Sequence, residues 1–95
     1  MHLVWTDEAL ADYHQNIDFL SKECTDQVAL DFIEDVDAVI SLIVSRPELF
    51  PLTDYRGIRK AVVRKQITLF YKISHNSIQL IRFWNNYQDP SRLKL

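Results

Sequence analysis

The stretch ITLFYKISHNSIQLIRFW, residues 67–84, decides the fold. In its first half Ile67, Leu69, Tyr71 and Ile73 alternate with Thr68, Phe70 and Lys72, a period of two that predicts a β-strand. Ser74-His75-Asn76-Ser77 gathers turn-forming residues, and Ile78 to Trp84 is a second run rich in Ile, Leu, Phe and Trp. Two strands about a short turn make a hairpin. A strand with one wet face should be polar on that face. Here Phe70 sits between Thr68 and Lys72 on the minority face, and the last strand is apolar at Ile78, Leu80, Ile81, Phe83 and Trp84. Two outcomes are open: a partner covers a basic, partly apolar groove on the second face, or the sheet curls and buries both faces itself.

Upstream of the hairpin, Ile58 to Arg64 is β-branched and basic and reads as another strand. Pro51, Asp54 and the only glycine, Gly57, mark a loop before it. Before Pro47 the period becomes helical. Ala29, Phe32, Ile33, Val36, Val39, Ile40 and Ile43 keep 3.6-residue spacing from a start at Thr25-Asp26, and Pro47 stops the run. Leu10, Tyr13, Ile17 and Leu20 form the stripe of an earlier helix over 7–22, with Thr6 as its N-cap and Asp7 and Glu8 in its first turn. His2 to Trp5 reads as a short strand. The order is β-α-α-β-β-β, an α+β fold in which an antiparallel sheet carries a two-helix hairpin on one face. Asn85 to Leu95 is a tail in which Asp89-Pro90 reads as a turn.

Ninety-five residues make one domain, 1–95, with an adequate but thin core. At 47% hydrophobic and 25% charged residues, with one Gly and three Pro, the composition is globular and poor in loop. No apolar run approaches the ~20 residues of a membrane span, the first residues lack the pattern of a signal peptide, and one cysteine, Cys24, excludes an internal disulfide. The expectation is a cytoplasmic protein with no membrane contact.

The net charge of −2 hides a division. Residues 1–54 hold twelve acids against Lys22 and Arg46, a balance of −10. Residues 55–95 hold nine bases against Asp89 alone, a balance of +8. Such asymmetry points to an anionic or acidic partner for the basic half; the plainer reading is that the halves neutralise each other as opposite layers of one fold.

Most chemistries are excluded by residue type and spacing. His2, His14, His75 and Cys24 lack metal-ligand spacing, so no metal or other cofactor is expected. A single Gly rules out a glycine-rich phosphate loop. Glu34, Asp35 and Asp37 project in different directions from a helix and read as a solvated face.

The succession of features resembles the RelE/ParE superfamily of type II toxin–antitoxin toxins. The matching pieces are Trp5-Thr6 with Ala9, two amphipathic helices closed by Pro47, Gly57-Ile58-Arg59-Lys60 before a strand, Ile67-Thr68-Leu69-Phe70-Tyr71-Lys72-Ile73, and Gln88-Asp89-Pro90-Ser91-Arg92-Leu93. The resemblance implies the same β-α-α-β-β-β fold. It also implies a small cytosolic toxin, encoded beside a cognate antitoxin whose segment wraps it, with operator DNA reached only through that antitoxin.

The family's two branches imply different targets: RelE-type members cleave mRNA on the ribosome, and ParE-type members inhibit DNA gyrase. RelE-like enzymes commonly carry an arginine where this chain has Thr68, and threonine cannot fork onto phosphate oxygens. They also tend to place His, Tyr or Arg near the C-terminus; here Tyr87 and Arg92 are present, with no histidine after His75. The resemblance therefore leans to a ParE-like inhibitor of gyrase. The alternatives are a ribosome-dependent nuclease using Arg64, Lys65, Arg82 and Tyr87, and a non-toxic module that keeps only the antitoxin contact. Target or antitoxin contacts are expected at Arg59, Lys60, Arg64, Phe70, Lys72, Arg82, Trp84, Asn85, Tyr87 and Arg92. Trp84 and Tyr87 could stack on bases or anchor a protein interface, although Trp84 also fits a plug of the core.

Overall fold

Two threonines start the helices. In the computed structural model, which describes residues 1–95, the Thr6 hydroxyl accepts from Ala9 N–H and the Thr25 hydroxyl from Val28 N–H. Helix α1 follows over Asp7–Glu23 and α2 over Asp26–Ser45. They pack as a hairpin behind a four-stranded sheet formed by β1 (His2–Trp5), β2 (Ile58–Arg64), β3 (Ile67–Ser74) and β4 (Ser77–Asn85). A 3-10 turn, Pro90–Arg92, follows, opened by the Asp89 carboxylate accepting from Ser91 N–H.

The sheet order is β1-β4-β3-β2. The three later strands are antiparallel, as expected, but β1 joins β4 in parallel, so the sheet is mixed. The helical hairpin returns the chain to the end of the sheet where β1 began. Three further strands in alternation then bring β4 alongside β1 in the same direction.

The strand register assigns every face. Ala61, Ile67, Leu69, Tyr71, Ile78, Leu80 and Phe83 face the helices and pack on Ala9, Leu20, Ala29, Phe32, Val36 and Ile43. Tyr71 is fully buried, and its hydroxyl donates to Pro47 C=O at 2.7 Å, tying the end of α2 to the sheet. Burial pushes its phenol pKa up.

Three members of the expected stripe on α1, Tyr13, Ile17 and Leu20, pack on the core, and only Leu10 turns away. Leu10 is exposed at 45%, whereas Ala9, Asp12, Asn16 and Leu20 are buried. The cause lies in β1, which spans only Ser77 to Leu80 of β4. Beyond Leu80 the edge of β4 has no strand neighbour, and unpaired buried backbone groups are costly. Side chains of α1 replace the strand. Thr6 donates to Leu80 C=O, the Asp12 carboxylate accepts from Phe83 N–H, and the Asn16 amide donates to Phe83 C=O.

Two turn residues adopt left-handed backbone: Gly57 at φ 74° and His75 at φ 51°. A Cβ at Gly57 would meet nothing within 4 Å, so its cost there is conformational. Gly57→Ala is expected to lower stability by about 1 kcal/mol. His75→Asn is expected to raise it by about 0.5 kcal/mol, since asparagine tolerates this region better. Thermal unfolding of the two variants checks both signs.

Candidate functional site

The face away from the helices, called the front, is where the fold leaves room for another molecule. Register places three rows across it. Ile58, Lys72 and Gln79 form one, Lys60, Phe70 and Arg82 the next, and Val62, Thr68 and Trp84 the third. Register shifts between Val62 and Arg64 and between Phe70 and Tyr71 mark bulges. The second, opposite Leu80 and Arg82, leaves Ile81 unpaired and restores Arg82 and Trp84 to the front. Thr68 therefore does face the front.

The apolar centre of this face is closed by the chain itself. Ile58, Phe70 and Trp84 form a small second core, and Leu93 and Leu95 of the tail pack against it with Ile81. Phe70 and Trp84, expected to meet a partner, are only 8% and 5% exposed. The expectation of an apolar groove left wholly open is thus corrected: the tail following the 3-10 turn supplies the cover. The sheet closes the centre of its second face by folding a strap over it rather than by curling, while Val62 toward the edge stays 64% exposed.

What stays open is a cationic groove beside the strap, about 510 Å³ in volume, lined by Arg82, Trp84, Tyr87, Gln88, Asp89 and Arg92. Arg82 is its fixed member. Its Nε donates to Asp12 Oδ2 at 2.6 Å and its Nη2 to Asp12 Oδ1 at 3.0 Å, while the guanidinium lies 5.4 Å from the centre of the Trp84 ring. The two-point hydrogen bond to Asp12, outweighing the opposing effect of burial, pushes the Arg82 pKa further up. Arg82 is held rigidly, with much of its charge spent on Asp12.

The other expected residues divide by place. Tyr87 is 74% exposed and Arg92 exposed, both at the groove. Lys60 and Lys72 stand on the same face on neighbouring strands. Arg59 lies on the helix side, where Nη1 donates to Phe50 C=O at 2.7 Å and to Glu48 C=O at 3.3 Å and so holds the loop before β2. Arg64, beside its bulge, donates to the Asp35 carboxylate on α2 at 2.7 Å. Lys65 is exposed in the turn after β2. Asn85 is buried on the helix side, donating to Asn16 Oδ1 at 3.5 Å. Of the nuclease set Arg64, Lys65, Arg82 and Tyr87, only Arg82 and Tyr87 line one groove.

Asp12 and Asn16 were not anticipated as part of any site. Their signal was faint but present: two polar residues four apart, flanked by Ala9, Tyr13 and Leu20 on an otherwise apolar helix face.

No protein-family model matches the sequence, and no curated protein matches it. Solved structures do. The chain superposes on a chromosomal ParDE TA system from P. aeruginosa with a TM-score of 0.77 at 19% identity, covering 90% of this chain and 95% of that one. A YoeB/ParE toxin from Agrobacterium tumefaciens gives 0.66 at 17% identity over 90% and 98%, and a YoeB dimer from Staphylococcus aureus gives 0.64 at 11% over 87% and 93%. The fold is that of the RelE/ParE toxins, and coverage above nine-tenths of each of these structures means that the shared architecture is whole.

Proposed function

We propose that this chain is the toxin of a type II toxin–antitoxin pair, held inactive in the cytoplasm by a cognate antitoxin and acting as a ParE-like inhibitor of DNA gyrase. One observation carries the choice of inhibition over cleavage. Ribose 2′-OH activation needs a base or acid beside free cations. None of the three histidines lines the cationic groove, Thr68 occupies the row where an arginine would serve, and of the groove's two arginines only Arg92 is unpaired, Arg82 being held by Asp12 as Arg64 is by Asp35. Binding tolerates such neutralised arginines better than phosphorane stabilisation does. A protein surface asks for shape and a rim of charge.

A second reading has one observation in its favour: two arginines, Arg82 and Arg92, and Tyr87 converge on a single groove. On that reading the chain is a RelE-type nuclease of ribosome-bound mRNA.

Induced expression without antitoxin is expected to arrest growth, and purified protein to inhibit gyrase supercoiling while leaving translated mRNA intact. Normal growth on induction leaves only the non-toxic module. Codon-spaced mRNA cleavage that is lost in Arg82→Ala replaces inhibition by the nuclease reading.

A further inference from the structure

At the end of the sheet opposite the cationic groove, α2 stops in a turn that the rest of the molecule holds still. Arg46 N–H donates to Leu42 C=O at 2.8 Å and ends the helix, and Leu49 N–H donates to Arg46 C=O at 3.0 Å. Two side chains pin what lies between. The buried Tyr71 hydroxyl donates to Pro47 C=O, and the Arg59 guanidinium donates to Glu48 C=O and Phe50 C=O. Pro47 adds a fixed φ. The turn Arg46-Pro47-Glu48-Leu49 is therefore rigid although it lies at the surface.

This rigid turn presents side chains that the fold does not use. The ion pairs of the molecule join Arg64 to Asp35 and Arg82 to Asp12; Arg46 and Glu48, both exposed, belong to neither. They stand on either side of Pro47 along an open cleft of about 410 Å³ whose other walls are Met1, Leu49 and Ile73. Met1 and Leu49 are 60% and 48% exposed, and Ile73, near the end of β3, is half-buried. The volume falls within the ~300–1,000 Å³ of small-ligand sites, and apolar walls with a few fixed polar groups are their usual make-up. Ile73 pairs with Ile78 at the start of β4, the far end of that strand from Trp84, and the cleft shares no residue with the cationic groove.

The charges select the ligand. A cation and an anion two positions apart, each without a partner in the chain, complement a molecule that carries both signs close together. The apolar walls call for an aliphatic part beside them. The last residue of a peptide offers only a carboxylate and the first only an ammonium group, whereas a free α-amino acid carries both on one carbon. We infer that the cleft at the end of α2 binds a free aliphatic α-amino acid, with its carboxylate on Arg46, its ammonium group on Glu48 and its side chain against Met1, Leu49 and Ile73. The site stands on this cleft alone and does not rest on the toxin reading.

The full chain is titrated with L-leucine, glycine, N-acetyl-leucine and leucinamide, following the methyl resonances of Met1, Leu49 and Ile73. Leucine is expected to move them saturably. Glycine, which lacks the apolar part, is expected to bind about fivefold more weakly, and each blocked leucine, which lacks one charge, about threefold more weakly. Arg46→Gln and Glu48→Gln change exposed side chains and keep the fold, as thermal melts verify. Arg46→Gln is expected to erase the preference for leucine over leucinamide and to keep that over N-acetyl-leucine; Glu48→Gln is expected to do the reverse. Methyl resonances that stay in place throughout the leucine titration, glycine binding as tightly as leucine, or both preferences unchanged in the two variants overturn the inference. Tighter binding of N-acetyl-leucine than of leucine also overturns it and gives the cleft to a peptide C-terminus. Growth arrest and gyrase inhibition read the toxin proposal separately, so either can fail while the other stands.

Discussion

Asp12→Ala is expected to lower folding stability by about 3–5 kcal/mol, read as a shift in the urea midpoint at unchanged slope. Three losses coincide. The Arg82 guanidinium, whose side chain is 20% exposed, would keep its charge without a partner. Phe83 N–H, on an edge that no strand covers, would lose its acceptor. The bridge from α1 to the front of the sheet would be cut. Asp12→Asn is expected to fall near half that loss, because its carbonyl oxygen can still accept from Phe83 N–H while the charge is gone. The other ion pair is the control. Arg64 and Asp35 are 30% and 40% exposed, and Asp35→Ala is expected to change stability by less than about 1 kcal/mol. Equal losses for the two aspartates would show that Asp12 does not stabilise the edge of β4 in the way described.

Replacing Leu93 and Leu95 together by serine is expected to cost about 2 kcal/mol and to expose the second core. The two side chains are half-buried against Ile58, Phe70 and Trp84, so each contributes roughly half of the ~1.5–3 kcal/mol of a fully buried leucine. The loss has an optical readout. Trp84 is 5% exposed in the intact chain, and lifting the strap should move its emission to the red and raise the binding of an apolar dye. Trp5, packed against Tyr13 and Phe83 on the helix side, contributes an unchanged signal. Unaltered emission with unaltered stability would mean that the strap adds nothing to the closure of this face.

The elements themselves were legible because each has its own period or punctuation. Alternation over 67–73 marked β3, helical spacing to Pro47 marked α2, and Thr6 and Thr25 announced both helix starts; every one is where those signals put it. The groove was legible in part. Tyr87 and Arg92 are pointed to by the family resemblance rather than by any pattern in the residues, and they line one groove with Arg82. Arg59 and Arg64 were indistinguishable from groove residues by type. Only their facing differs: Arg59 falls on the odd, helix-side register of β2, and Arg64 is displaced by a bulge that no residue pattern advertises.

Local periodicity and capping depend on neighbours within a few positions, so the order β-α-α-β-β-β, the two helix starts and the acidic and basic halves were all readable along the chain. Partnerships across long separations depend on which edges and faces the folded elements leave unsatisfied. The parallel seating of β1, the pairing of Asp12 with a residue seventy positions away, and the closing of the front by the last three residues arise only then. Backbone groups at the bare end of β4 needed hydrogen bonds and Phe70 and Trp84 needed cover, and the nearest side chains able to supply them came from the opposite ends of the sequence.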